Sequence, residues 1–430
     1  MILQNLGHHW NPRSECCDGY IIQAYGIDVV ALMDTRRGHD LFDEGNLFFD
    51  PQLYLAGLDA AKCAKIVSRL ATYPWFLSNA PKFDIEETCA SEFRKEVAET
   101  DSLYIEVPSA PEDIRTAIIE CTRTQRILGL EQIVVPAPLI DETGLNTYMK
   151  WIDIAIENDC IGDEDLVSLP IRSGSFTRSP SFIDAMIDNL SARERIRGVY
   201  VVIVSDDNTK RLKDLPVAEG LLRLCYCLGK TADIKVIVNY VDDFGLLCRA
   251  FGASAFGAGH TLKERRAYPP DYEEADGWGF RYPYFYSNSL FADFLSNDGL
   301  NQFRNAELLW IFDEDETDLC RPLLKALEEG KSANDVPQWR QEHMRIQTAQ
   351  EHKMQLLKKV DTAIDTYMEN EPIGRGVSMA RQAHMKGEYC KKRLPDTLEQ
   401  DLAHLEVWKN ACERASRHIG EAYSIAEAFC

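Results

Sequence analysis

Between residues 132 and 258 the chain switches repeatedly between two hydrophobic periods. Short runs rich in Val and Ile, namely QIVVPA (132–137), LVSLPI (166–171), VYVVIV (199–204), IKVIVN (234–239) and ASAFGA (253–258), alternate with stretches whose apolar residues recur three and four apart. Near-continuous apolar runs are what strands buried on both faces require. An intervening helix supplies the crossover that two parallel strands need. The alternation therefore confines the chain to an α/β fold on a mostly parallel sheet.

The helices carry their own punctuation. One is expected after Ser109, with Pro111 in its first turn and Glu112 and Asp113 near its positive end. Ile114, Ala117, Ile118 and Cys121 form its apolar stripe, and Gly129 its C-terminal stop. Others are expected near Leu145–Ile156, Val217–Leu228 and Asp243–Phe251.

Two earlier runs, NLFFD (46–50) and SLYIEV (102–107), and an eighth candidate near Phe280–Phe285 bring the strands to the number of a closed (β/α)8 barrel. No G-x-G-x-x-G follows the first strand, so a dinucleotide-binding open sheet lacks its main support. A barrel takes about 250 residues, and this chain has 430. The expected organisation is an N-terminal β segment (1–45), a barrel (46–333) and a C-terminal helical region (334–430). Within the first, IIQAYGIDVVALMD (21–34) reads as a β-hairpin capping the barrel bottom. Within the last, Trp339, Met354, Leu357, Val360, Ile364 and Tyr367 mark one amphipathic helix. Leu405, Trp408, Cys412, Ala415 and Ile419 mark another.

The net charge of −22 argues against a protein that coats nucleic acid, because phosphate neutralisation drives such binding. A nucleic-acid enzyme with a local basic cleft remains open. Its cations would come from Arg36–Arg37, from Arg193, Arg195 and Arg197, from Lys263–Arg266, or from Lys391–Arg393. The 13 cysteines show no C-x₂-C pairs, so buried free thiols are expected and no metal site or cofactor. No run reaches the length of a membrane span, and the first residues lack a secretory pattern. A cytoplasmic protein without membrane contact is expected.

Barrel active sites lie where strands end. Asp50 ends the first run, Glu106 the second, and Asp141 follows the third. Arg172, Asp206 and Asp207 follow the next two, and Asn239, Asp242 and Asp243 the sixth. Carboxylates in such a ring suit acid/base work at a glycosidic carbon. Asp and Asn also cap helices at these turns, and Asp141 and Asp243 read best as caps. The stretch FGASAFGAGHTLKERR (251–266) combines small residues with cations. Gly257, Gly259, Lys263, Arg265 and Arg266, with Arg36 and Arg37, are the candidate phosphate contacts. The aromatic segment 267–286 follows, in which Trp278 is the candidate for stacking on a base, beside His260 and Glu106.

Two stretches resemble the tRNA-guanine transglycosylase superfamily, including its DNA-acting relatives. VIVNYVDDFGLLCRAFGASAFGAG (236–259) is similar to that family's late barrel, and WFLSNAPKF (75–83) stands where its members carry a loop with a catalytic aspartate. Asn79 occupies the aspartate position, Gly257 that of the second aspartate, and the family's C-x-C-x-x-C zinc module is absent. The resemblance implies a DNA glycosylase that hydrolyses the N-glycosidic bond of a modified, flipped-out base, as in anti-phage defence. Asn79 would orient water or sugar, with Asp50 or Asp206 as base or cation stabiliser. The alternatives are base exchange on DNA or tRNA, a small-molecule barrel hydrolase or lyase, and a non-catalytic binding subunit.

Overall fold

The computed structural model describes residues 1–7, 16–36, 46–81, 90–274, 281–343, 345–367, 372–394 and 402–429. Eight strands build its centre: β1 (Ile2–Asn5), β2 (Gly19–Gln23), β3 (Leu47–Asp50), β4 (Val134–Val135), β5 (Leu166–Arg172), β6 (Gly198–Val204), β7 (Lys235–Asn239) and β8 (Ala255–Ala258). They hydrogen-bond in the order β3-β2-β1-β8-β7-β6-β5-β4, and every pairing is parallel. Read as a circle, that order is β1 through β8. The edge strands β3 and β4 lie against one another at the one seam without a ladder. The protein is thus an eight-stranded α/β barrel, nearly closed.

The strands are apolar because both their faces are covered. All seven residues of β6 are buried, as are those of β1, β2 and β3. The helix expected after Ser109 runs Pro111–Ile127 with its proline in the first turn. Gly129 follows it at φ 80, the left-handed stop that a residue without Cβ adopts freely.

Three strand expectations are corrected. The 21–34 segment is no hairpin: its first residues belong to β2 inside the barrel, and a helix, Val29–Arg36, follows. The 1–45 segment therefore supplies two barrel strands rather than a cap. In SLYIEV only Ile105–Glu106 is extended, paired antiparallel with Leu77–Ser78 outside the barrel. Its burial alternates, with Tyr104 and Glu106 exposed, which suits a surface ribbon and not a strand covered on both sides. Near 280–285, Tyr284–Ser287 pairs antiparallel with Ala292–Leu295.

The C-terminal region is helical, as its periodicity indicates. Helices Gln347–Tyr367, Pro372–Lys391 and His404–Phe429 pack on the outside of the late barrel. The stripe Leu405, Trp408, Cys412, Ala415 and Ile419 is buried. Trp408 donates its indole N–H to the Leu212 carbonyl (2.7 Å) and meets Phe244 and Phe291 edge-on. Trp339 lies ahead of the first of these helices, not on it, as a buried core residue. Among the described residues no helix is long and apolar enough to cross a membrane.

Candidate active site at the barrel mouth

Parallel strands bring all their carboxyl ends to one rim. Four of these strands finish on a buried polar residue: ILQN, GYIIQ, LFFD and KVIVN. Asn5, Gln23, Asp50 and Asn239 are all buried there. Buried polar groups must find partners, and here they find one another. Asn5 Nδ2 donates to Asn239 Oδ1 (2.8 Å), and Asn239 Nδ2 donates to the Tyr200 hydroxyl (2.6 Å). Gln23 and Gln52 both donate to the Tyr240 hydroxyl at 2.9 Å.

Asp50 is the centre of this network. Tyr54 donates to its Oδ2 (2.7 Å) and the Gln52 backbone N–H to its Oδ1 (3.2 Å). Tyr240 and Tyr200 also hydrogen-bond the carboxyl. Burial disfavours the charged form and raises Asp50 from 3.8 to about 7, with the donors opposing that rise. Among the described residues no cation pairs with it. The backbone is strained at the same rim: Gln52 (φ 54), Tyr240 (φ 60) and Asp242 (φ 48) are all left-handed non-glycine residues.

A strap crosses from β8 to the far side of the mouth. Arg266 holds it through a double ion pair with Asp271 (2.6 and 2.7 Å). At its other end Glu274 accepts from the Lys65 N–H (2.9 Å) and donates its own N–H to the Lys62 carbonyl (2.8 Å). Between these anchors Tyr272 is buried edge-on to Tyr25 (5.2 Å), with Asp50 the foremost charge acting on it. Among the described residues the Tyr272 hydroxyl has no hydrogen-bond partner.

Beside this centre lies a second buried group of charges. Arg265 binds both Asp242 and Asp293, Arg211 binds Asp293 and Asp243, and Lys353 binds Asp242 (2.7 Å). Burial pushes Asp242 up, but Arg265 and Lys353 outweigh it and hold the carboxyl below its usual range. Burial and the neighbouring Asp242 charge push Asp243 up. Asp243, read from sequence as a cap, is thus an ion-pair partner. Asp141 does cap its turn, accepting from the Thr143 N–H (2.9 Å).

Of the expected catalytic set, only Asp50 occupies the centre. Asn79 sits in the surface ribbon, where it accepts from the Tyr104 N–H (3.1 Å) and donates to the carbonyls of Asp101 and Ser102. Its amide ties a turn. Asp206 lies exposed on the opposite half of the rim, bound to the Gly174 N–H (3.0 Å) and near Arg172 (3.6 Å). Glu106 is exposed on the ribbon. His260 lies in the loop after β8, where its N–H donates to Glu264 (2.8 Å). Trp278 and Arg37, with the Arg36 side chain, lie outside the described residues.

The expected phosphate contacts are spent internally. A Cβ on Gly257 would fall 2.1 Å from Asn239 Oδ1, so this glycine makes room for the amide network. At Gly259 a Cβ would fall 2.3 Å from the Glu264 Cβ, a packing contact. Arg265 and Arg266 are both committed to carboxylates. Lys263 is half-buried over the Tyr272 ring (5.9 Å), and burial lowers its pKa. Glu264, buried and raised by burial, caps its own short helix through the His260 and Thr261 N–H groups.

Sequence reasoning passed over Asn5, Gln23, Gln52, Tyr54, Tyr200 and Tyr240, and placed Tyr272 only within the aromatic 267–286 segment. One signal was present for the first two, a polar residue at the end of a strand. Among the described residues no three His, Cys, Asp or Glu side chains group as metal ligands. No family model matches the chain, and no curated protein matches it.

Proposed function

We propose that the Asp50 centre is the active site of an N-glycosidic bond hydrolase, a DNA glycosylase acting on a modified base such as those of phage DNA. The observation that carries the reading is a fully buried carboxyl at the end of a barrel strand, raised to about 7 and ringed by phenols and amides. A group poised there exists in both forms at neutral pH, which acid/base catalysis requires. The acid form gives its proton to the departing base nitrogen as the C1′–N bond breaks. The resulting carboxylate stabilises the sugar cation and takes a proton from the water that adds to C1′, restoring the acid. Amides and phenols around it are the groups that read the edges of a flipped base. Asp50 is wholly covered, so on this reading substrate reaches it only when the residues above it move.

The internal commitment of Arg265 and Arg266 favours a second reading, a small-molecule hydrolase on the same centre, because it removes two expected phosphate contacts. The deciding experiment incubates the protein with phage DNA carrying modified bases, with unmodified DNA and with bulk tRNA, followed by mass spectrometry of released bases. Free modified base, lost in Asp50→Asn, supports the glycosylase. Incorporation of an isotope-labelled free base would assign base exchange instead, and no release from any polymer would move the assignment to a small molecule.

A further inference from the structure

Asp50 acts on the hydroxyls of five buried tyrosines, Tyr25, Tyr54, Tyr200, Tyr240 and Tyr272. Four of them are answered. Tyr54 donates to the carboxyl (2.7 Å), and Tyr200 and Tyr240 hydrogen-bond it as well. Tyr25 donates to the Lys263 carbonyl (3.5 Å). Among the described residues the Tyr272 hydroxyl, alone of the five, has no hydrogen-bond partner.

Tyr272 is central to this group. Its hydroxyl acts on each of the other four, and Asp50 is the foremost charge acting on it. The ring is fixed edge-on to Tyr25 (5.2 Å), on a segment anchored through Arg266 and Glu274. A phenol turns its O–H toward any partner in reach, so this one is held beyond the reach of the polar groups around it. Burying a hydroxyl in that state costs stability, and phenylalanine would fill the same place without the cost. Among the described residues Tyr286 also has a buried hydroxyl without a partner, but it packs among the ion pairs, with the Lys353 nitrogen 5.1 Å from its ring centre. The carboxyl beside Tyr272 is the one with which no described cation pairs.

We infer that Tyr272 is a ligand-contacting residue of the Asp50 site, its hydroxyl hydrogen-bonding an uncharged polar atom on the base of a nucleoside. The inference rests on the proposed function for its choice of site, and the chemistry around Tyr272 selects the ligand class. Burial keeps the phenol protonated, so it offers one donor and two lone pairs rather than a charge. A phosphate or carboxylate would meet the Asp50 carboxyl with no paired cation to offset the repulsion. A planar heterocycle brings donors and acceptors on its edge and apolar faces for the surrounding rings. Because Asp50 and Tyr272 are both covered, the contact forms as the residues above them move to admit the base.

The test is isothermal titration calorimetry of the full chain with each common 2′-deoxynucleoside, and with inorganic phosphate and glucose as contrasts. At least one nucleoside is expected to bind the wild type, and to bind Tyr272→Phe roughly tenfold more weakly. The variant keeps the ring, so an unchanged melting temperature assigns the lost affinity to the hydroxyl. Equal affinity in the two proteins, binding of no nucleoside, or binding of phosphate or glucose in its place overturns the inference. So does a clear fall in the melting temperature of Tyr272→Phe, which would show that the hydroxyl is bonded within the folded protein. Base release from modified phage DNA is measured separately. A nucleoside held through Tyr272 by a protein that releases no base would end the hydrolase reading and keep the contact. Release abolished in Asp50→Asn, with nucleoside affinity equal in Tyr272→Phe and the wild type, would do the reverse.

Discussion

Two buried carboxylate centres sit side by side at the barrel mouth, and they are built on opposite principles. Around Asp242, Asp243 and Asp293 the fold supplies Arg211, Arg265 and Lys353, so charge is answered by charge. Around Asp50 it supplies only neutral donors: Tyr54, Tyr200, Tyr240 and a backbone N–H. The first arrangement ties the C-terminal helix carrying Lys353 and the 284–295 hairpin to the barrel. The second leaves a carboxyl whose ionisation burial disfavours. Uncompensated burial of an acid costs stability, which is why such groups cluster where chemistry needs them.

The contrast is sharpest when each centre loses one member. Arg265→Ala removes the cation shared by Asp242 and Asp293, leaving each with one remaining partner, Lys353 and Arg211, and should cost about 3–5 kcal/mol, read by urea unfolding. Asp50→Asn should leave stability at pH 7 intact while lowering base release by about 10²–10⁴. An Asp50→Asn protein that unfolds as readily as Arg265→Ala would erase the distinction.

A pH series of the wild type against Asp50→Asn isolates the Asp50 contribution next, since Asp243 in the other centre is raised as well. Asp50 is raised on folding, so its contribution is fully present below about 3.8 and is lost as pH rises through about 7. Across that window the native state holds a proton that the unfolded chain has released. Wild-type stability should therefore fall between about pH 4 and 7 relative to Asp50→Asn, by up to about 4 kcal/mol. Parallel curves for the two proteins would show that Asp50 titrates at its unfolded value and is not raised on folding.

Two tyrosines give a smaller effect. Tyr54→Phe removes a donor from Asp50 and should cost about 1–3 kcal/mol, moving the upper limb of the pH–rate profile to higher pH. Tyr272→Phe deletes a hydroxyl without a partner and should change stability by less than about 0.5 kcal/mol. A large loss in Tyr272→Phe would mean that the hydroxyl is held within the folded protein.

Outside both centres, Asn79→Ala should cost about 1 kcal/mol at its turn and leave base release unchanged. A drop in turnover with unaltered stability would bring Asn79 back to the chemistry.

Asp50 and Asn239 were visible in the sequence because each ends a run whose Val, Ile or Phe residues mark a strand, and strands of a barrel end at its functional rim. Asn79 was not placed correctly, since WFLSNAPKF carries no sign that its ribbon lies outside the barrel. ILQN and GYIIQ were missed as strands: the first is four residues long, and the second runs into a helix that looked like its hairpin partner. Arg265 and Arg266 were misread for a different reason. Whether a cation faces a ligand or a carboxylate depends on Asp271 and Asp293, and nothing local to the KERR run reveals them.

What the sequence determined by itself was the alternation of strand and helix, the parallel sheet, and the apolar stripe of the last helix. Those follow from periods of two and of three to four residues, which local sterics and burial impose on any neighbourhood of the chain. Tertiary structure alone decided the closure of the barrel through its first two strands. It also decided which carboxyl is answered by cations and which stands among phenols. The reason is distance along the chain: Asn5 meets Asn239 across 234 positions and Lys353 meets Asp242 across 111. Pairings of that span are set by the register of the whole sheet and by the helices that close over it.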